Sequence, residues 1–212
     1  MYQPRLFKED RIDILHQLIH DYPFATLVTS CSDGLNVDHI PLLLAADNQT
    51  HHGVLQGHLA RPNPLVDKIA DGLDAIAVFQ GPQSYITPSW YPSKQQHGKV
   101  VPTWNYAVVH VTAKLTLKDD ARWLHGLVSR LTNHLEQQRT EPWKVSDAPE
   151  EFIEQQLKAI VGIELEITDI EGKWKVSQNK TAEDRTGVSD GLAREQRSSP
   201  MSSLVANHDH KQ

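Results

Sequence analysis

Residues 81–111, GPQSYITPSWYPSKQQHGKVVPTWNYAVVHV, hold two of the five tryptophans and three of the five tyrosines of the chain. Both ends of this stretch, called here the aromatic segment, are rich in aromatic and β-branched residues, as strands are. Pro88, Pro92, Gly98 and Pro102 interrupt its middle, so we predict a strand, a long loop and a second strand. The aromatic side chains either fill a core or line a pocket, and the sequence leaves both interpretations open.

The residues around the aromatic segment predict further strands. Residues 24–30 are apolar and β-branched, Asp33-Gly34 is typical of a hairpin turn, and residues 35–45 are predicted to form the partner strand. The other predicted strands are residues 53–58, residues 74–80 and the two ends of the aromatic segment, the second extending to Leu117. Roughly five strands are therefore expected before residue 118.

Two helices are predicted before the aromatic segment. Ile12, Leu15 and Leu18 lie on one face of a 3.6-residue period, and Pro23 ends this first helix. Asn63 suits an N-cap and the proline after it suits the first helical position, so a second helix is expected to run to near Gly72.

Helices dominate the pattern after residue 118. Residues 119–135 carry a regular leucine stripe, and Asp147 with Glu150 predicts a capping box for another helix. The expected buried face of that helix is Phe152, Ile153, Leu157 and Ile160. Residues 161–170 alternate as a half-exposed antiparallel strand does, and Gly172 is expected to turn the chain into residues 174–176. Thr181 with Asp184 predicts the cap of one short helix.

Short hairpins with segregated helices predict an α+β fold, a small antiparallel β-barrel with peripheral helices. The chain of 212 residues has near-average composition, with 39% hydrophobic and 23% charged residues, which favours one compact domain. We place that domain at residues 1–197. Residues 198–212 are mostly polar and are predicted to be a disordered tail.

Charge and cysteine content narrow the function classes. The formal net charge of −6 disfavours a broad nucleic-acid surface, which needs clustered cations. Cys31 is the single cysteine, so no internal disulfide is expected, and polar residues follow Met1 where a signal segment would be apolar. These features predict a protein of the reducing cytoplasm.

The chemical motifs are few. No protease, kinase, P-loop or dinucleotide signature is present, and none of the 12 histidines has a cysteine or carboxylate at metal-ligand spacing, so no metal is predicted. His58, Arg61 and Asn63 lie where a strand leads into the predicted helix start, an arrangement suited to a phosphate or to a purely structural role. Residues 173–180, KWKVSQNK, form a second polar cluster that suits an anion or a solvated strand end.

Several of these segments together resemble the PaiB-like family of FMN-binding negative transcriptional regulators. The matching motifs run in one order from about residue 1 to about residue 195. They are YPF at 22–24, HIPL at 39–42, GHLARPNP at 57–64, GP at 81–82, YITPSWY at 85–91, VPTWNY at 101–106 and WKVSQN at 174–179. One departure is Thr87, where a serine is expected before Pro88, and this change keeps a hydroxyl group.

The resemblance implies an FMN-binding split β-barrel that forms a homodimer with the flavin in the cleft between subunits. It places Asp38, His39 and Ile40 beside the flavin ring, and His58, Leu59, Arg61 and Asn63 at the phosphate. The residues that the resemblance implies complete the pocket, some of them from the partner chain, are Trp104, Asn105, Tyr106, Lys175, Gln178 and Asn179. The family label implies DNA binding, which the net charge does not support.

Three functions remain open at this point. The first is an FMN-binding homodimer acting in regulation. The second is a flavin-dependent oxidoreductase using NAD(P)H or oxygen, for which His39, His58 and His110 are the candidate bases. The third is a module that binds haem or another planar ligand. Whether the protein is an enzyme stays open, because the split barrel hosts members of all three kinds.

Overall fold

The computed structural model describes residues 1–45, 52–69, 72–195 and 199–207. The chain divides into two compact units. Unit 1 contains Met1–Asp21, Gln80–His110 and Glu171–Gln212, and unit 2 contains Tyr22–Phe79 and Val111–Ile170. A single domain over residues 1–197 stays a prediction.

The described residues form eight strands. They are β1 Lys8–Glu9, β2 Phe24–Cys31, β3 Gly34–Pro41, β4 Leu43–Ala45, β5 Val54–Ala60, β6 Leu73–Ile86, β7 Thr103–Lys118 and β8 Ile160–Lys175. Their order in the sheet is β3-β2-β6-β7-β8-β5-β4, and β1 pairs with β8. The paired strands whose register is known run antiparallel, as the short hairpins of the sequence predict.

Six helices are found in the same part of the chain. They are α1 Ile12–Asp21, α2 Ser93–His97, α3 Ala121–Glu136, α4 Glu150–Lys158, α5 Ala182–Glu195 and α6 Pro200–Asn207. The apolar stripe of α1 is buried at Leu15, Leu18 and Ile19, as its periodicity predicts. The side chain of Asp120 accepts a hydrogen bond from the Trp123 backbone N–H at 2.7 Å, so the predicted N-cap of α3 is confirmed.

The predicted hairpin is confirmed in unit 2. β2 and β3 pair from Phe24 opposite Pro41 to Cys31 opposite Gly34, whose φ of +123° suits a glycine. The predicted partner strand 35–45 is divided, however, into β3 and β4. Leu42 lies between them with none of its surface exposed, and its N–H donates to the Pro23 carbonyl at 2.9 Å. The predicted strand is therefore interrupted at Leu42.

Two other predictions differ from the structure. The helix predicted from Asn63 to Gly72 is only a 3₁₀ turn at Val66–Lys68, within which backbone N–H groups bond three residues back. Gly172 does not turn the chain, because β8 continues through it and pairs it with Glu9. A side chain at Gly172 would overlap Leu15 and approach the Glu9 carbonyl, so glycine is needed for close packing.

The helices after residue 140 also differ in detail. The Asp147 carboxylate accepts from the Lys144 N–H at 2.9 Å and does not cap α4, and Phe152 is 51% exposed where the sequence predicts burial. In unit 1, Thr181 accepts from the Asp184 N–H at 3.2 Å, and the short helix predicted there extends over 14 residues as α5.

Part of the expected disordered tail is a helix. α6 spans Pro200–Asn207 and buries Met201 and Val205, which are one helical turn apart and therefore lie on one face. This pair is the apolar signal that the polar composition of the tail obscures. The expected disorder at Ser198 and at residues 208–212 lies outside the described residues.

Candidate functional site

The aromatic segment contains two kinds of aromatic residue, so each interpretation drawn from the sequence holds for part of it. Trp90 and Tyr91 are buried, with exposures of 8% and 2%, whereas Tyr85 and Trp104 are 47% and 54% exposed. The exposed rings meet edge to face, with centroids 6.1 Å apart. An exposed aromatic pair of this size is available to a flat ligand.

Asn105, next to Trp104 on β7, is the most unusual polar residue of unit 1. Its side chain is 1% exposed, and its Nδ2 donates to the Ser177 hydroxyl oxygen at 2.8 Å. Its Oδ1 is buried and has no hydrogen-bond partner among the described residues. A buried acceptor left without a partner costs about 1–3 kcal/mol, so this oxygen favours any ligand that donates a hydrogen bond.

Ser177, the partner of Asn105, has a strained backbone just after the end of β8. Its φ of +69° lies in the left-handed region, and no other non-glycine residue in the described ranges has a positive φ. Such a conformation costs roughly 1–3 kcal/mol and is common at functional sites. The sequence shows only a serine in the WKVSQN motif, so neither the strain nor the bond to Asn105 was predicted.

Lysines surround this part of unit 1. The Lys175 ammonium donates to the Thr103 hydroxyl and, at 2.8 Å, to the Trp104 carbonyl. Burial lowers the pKa of Lys175, Tyr106 opposes this effect, and Lys173 and Lys180 add to it by repulsion. The Lys173 ammonium lies 5.5 Å from the centroid of the Tyr106 ring. Three neighbouring cations favour an anionic group.

Gln178 and Asn179, the last two predicted site residues of unit 1, differ in their surroundings. Gln178 Oε1 accepts from the Val176 N–H at 2.7 Å, and its Nε2 donates to the Trp174 carbonyl. Gln178 therefore stabilises the backbone around Ser177, and both ends of its side-chain amide are hydrogen-bonded there. Asn179 is exposed.

The residues that were predicted to contact the phosphate lie in unit 2. Two of them, Arg61 and Asn63, are hydrogen-bonded to other protein atoms. The Arg61 guanidinium makes two bonds to the Asp119 carboxylate, at 2.7 and 2.9 Å, and also donates to the carbonyls of Lys158 and Ile160. Asn63 Nδ2 donates to Asp38 at 2.9 Å. The sequence did not predict Asp119 as the partner of Arg61, because 58 residues separate them.

The other predicted residues of unit 2 range from buried to exposed. Burial lowers the pKa of His58, and its Nδ1 is buried with no partner in the part of the chain that the structure describes. Leu59 is 2% exposed and belongs to the core. His39 is exposed, with its ring centroid 6.4 Å from that of Phe24, and Ile40 is half-buried. A neutral imidazole at His58 is suited to hydrogen bonding.

Unit 2 also contains two clefts beside α3. One, of about 890 Å³, is lined by residues of α3 and α4 and of the loop between them, and the other, of about 440 Å³, is lined by residues that include Arg61 and Asp119. Arg61 is the single predicted site residue at either cleft. No described group of three or more His, Cys, Asp or Glu residues is arranged to hold a metal ion.

Comparison with known proteins assigns the family. Residues 1–169 match the family described as "Putative FMN-binding domain". The chain is 34% identical to an uncharacterised protein of Emericella nidulans, over 91% of this chain and 90% of the relative. It is 30% identical to "Protease synthase and sporulation protein PAI 2" of Bacillus subtilis, over 92% and 91% of the two chains.

The chain belongs to this FMN-binding domain family, and the resemblance to PaiB-like proteins is confirmed. In fold it is similar to the FAD and haem binding protein of Mycobacterium smegmatis, with a TM-score of 0.58 and 16% identity over 79% of this chain and 73% of that one. The predicted α+β split-barrel fold is confirmed. Among the described residues, no helix has the length and apolar character needed to cross a membrane.

Proposed function

We propose that the chain binds FMN and that the cluster around Asn105 in unit 1 contacts the flavin ring. Membership of the FMN-binding domain family supports the choice of ligand. The observation that carries the proposal is the buried Asn105 oxygen, which has no hydrogen-bond partner among the described residues. Bound FMN supplies redox chemistry, while the protein holds and orients the ring.

The chemistry of this cluster fits a flavin. The isoalloxazine ring is flat and has one ring N–H between two carbonyl groups, so it offers the hydrogen-bond donor that Asn105 Oδ1 lacks. The phosphate of FMN is anionic and is attracted by the ammonium groups of Lys173, Lys175 and Lys180. Because Asn105 is 1% exposed, a ligand reaches its oxygen only after a neighbouring side chain moves.

Further parts of the proposal follow from the family. We propose a cytoplasmic homodimer with a regulatory role, as the resemblance to the PaiB-like regulators implies. With a net charge of −6, we expect regulation without a broad DNA-binding surface. Haem is the competing ligand, since the Mycobacterium smegmatis protein of similar fold binds haem as well as FAD.

The test is a titration of the purified protein with FMN, riboflavin and haemin, followed by absorbance and tryptophan fluorescence. FMN is expected to bind and to quench tryptophan emission. Asn105→Ala is expected to weaken FMN binding by about tenfold, the size of one lost hydrogen bond to a buried group. Asn133→Ala, at an exposed position of α3, is the matched control and is expected to bind normally.

Other outcomes would overturn specific parts of the proposal. A protein that binds haemin and no flavin is a planar-ligand module of another kind. Equal FMN affinity of Asn105→Ala and Asn133→Ala removes Asn105 from the site. Sedimentation with and without FMN tests the homodimer, and a single monomeric species at micromolar concentration contradicts it.

A further inference from the structure

We propose that the larger cleft of unit 2 binds short apolar peptides whose two ends are free. The cleft has a volume of about 890 Å³ and lies between α3, α4 and the loop that joins them. Its two helical walls carry charges of opposite sign, and apolar side chains line most of the rest. This site is separate from the proposed flavin site in unit 1, so each of the two proposals is tested without the other.

The charged and polar side chains of the cleft lie on two different helices. Arg122 and His125 are about one turn apart on α3, and Glu150 and Glu154 are about one turn apart on α4, so each pair lies on one helix face. All four side chains are exposed, and none has an ion pair or a hydrogen bond with another described residue. The cleft therefore offers an unpaired guanidinium on one wall and unpaired carboxylates on the other.

The apolar side chains of the cleft come mainly from α4 and the loop before it. Ile153 and Leu157 are half-buried, and none of the residues that the structure describes in α4 is fully buried. Val145, in the loop, is 8% exposed, and the bond from the Lys144 N–H to the Asp147 carboxylate at 2.9 Å stabilises this wall. A ligand with an apolar middle would cover the side chains that α3 leaves uncovered.

This combination of groups matches a peptide better than other small ligands. A peptide with free ends carries an ammonium group for the two glutamates and a carboxylate for Arg122, whose guanidinium binds both oxygens of a carboxylate. A purely apolar ligand leaves both charged walls unpaired, and phosphate is repelled by Glu150 and Glu154. The volume is in the upper part of the range for small-molecule sites, so roughly two to four residues fill it and one amino acid does not.

The test on the unaltered protein uses leucyl-leucine and two blocked forms of it, measured by isothermal titration calorimetry. Leucyl-leucine amide lacks the carboxylate, and acetyl-leucyl-leucine lacks the ammonium group. We expect each blocked form to bind about fivefold more weakly than leucyl-leucine, which is the effect of one partly exposed ion pair. Free leucine has both charges but less apolar surface, and it is also expected to bind more weakly.

Variants assign each end of the peptide to a wall of the cleft. In Arg122→Gln, we expect the affinity for leucyl-leucine to fall about fivefold, to the wild-type affinity for the amide. In the double variant Glu150→Gln with Glu154→Gln, it is expected to fall to the wild-type affinity for acetyl-leucyl-leucine. Arg5→Gln and Glu183→Gln, at exposed positions of unit 1, are the charge-matched controls and are expected to keep the wild-type affinities.

The other outcomes overturn the proposal. A wild-type protein that does not bind leucyl-leucine at millimolar concentration has no peptide site in this cleft. Equal affinity for the free and blocked peptides shows that the charged walls do not recognise the two ends. A loss in Arg5→Gln as large as the loss in Arg122→Gln shows that net charge, and not the cleft, attracts the peptide.

Discussion

The predicted site residues of the two units differ in how their polar atoms are satisfied. In unit 2, Arg61 is bonded to Asp119 and to two backbone carbonyls, and Asn63 is bonded to Asp38. In unit 1, Asn105 keeps a buried oxygen without a partner among the described residues. Arg61 and Asn63 therefore have partners within the protein, whereas Asn105 in unit 1 and His58 in unit 2 each keep a buried atom without one among the described residues.

This difference separates polar residues that stabilise the fold from residues prepared for a ligand. A buried unpaired acceptor and a strained backbone are each unfavourable in the free protein, and a ligand that completes the bond recovers part of the cost. A guanidinium that already has four bonds gains little from a new partner. Substitutions in unit 1 should therefore weaken flavin binding, and substitutions in unit 2 should mainly lower stability.

The largest expected effect in this comparison is at Trp104. Trp104→Ala should weaken FMN binding by about tenfold, the range found when a base loses its aromatic stacking partner. Because Trp104 is 54% exposed, the melting temperature should change little. Trp143→Ala is the matched control, since Trp143 is 45% exposed and lies outside the predicted site. Unchanged FMN affinity with a lowered melting temperature would return Trp104 to the core-filling interpretation.

Local sequence patterns were sufficient for most of the fold. The turn at Asp33-Gly34 with an apolar strand on each side determined the β2–β3 pairing, and the leucine stripe determined α3. The predictions at Gly172 and Phe152 were wrong because tertiary packing decides them. Gly172 is required by the approach of Leu15 and Glu9, and the Phe152 side chain is left half-exposed although α4 is amphipathic.

The candidate site was predicted less completely, because its interactions join distant residues. The motifs identified Trp104 and Asn105 as residues of interest, but the bond between Asn105 and Ser177 spans 72 residues. The left-handed backbone of Ser177 has no signal in its own residue type, since glycine or asparagine usually marks such a position. Short-range patterns contain no information on these pairings.

A smaller effect is expected at Arg61. Arg61→Lys keeps the charge but loses the two-bond contact with Asp119 and the bonds to the Lys158 and Ile160 carbonyls. We expect a fall of a few degrees at most in melting temperature, because surface ion pairs contribute little, and an unchanged ratio of FMN to riboflavin affinity. Lys68→Met, which breaks the exposed pair with Asp33, is the control for a surface ion pair.

The ratio of FMN affinity to riboflavin affinity distinguishes two roles for Arg61, a structural ion pair with Asp119 and a contact to the phosphate. Riboflavin lacks only the phosphate, so a variant that loses FMN affinity and keeps riboflavin affinity has lost a phosphate contact. That result would show that a phosphate displaces Asp119 from Arg61. Arg61 would then be a ligand-binding residue, although its hydrogen bonds are complete in the free protein.

The smallest effect concerns acid stability and His58. Burial lowers the pKa of His58 below its ordinary value of 6.5, so the folded state binds fewer protons than the unfolded state as the pH falls through this range. The contribution to stability is complete above pH 6.5 and is lost as the pH falls through the lower, folded-state pKa. His58→Gln cannot be protonated and should show a slightly weaker loss of stability between about pH 7 and pH 5 in urea unfolding. Asn133→Ala, at an exposed position of α3, should keep the wild-type pH dependence. Equal slopes for His58→Gln and the wild-type protein would mean that the His58 imidazole is solvated in the folded protein, and its buried nitrogen would then no longer distinguish it from the paired residues of unit 2.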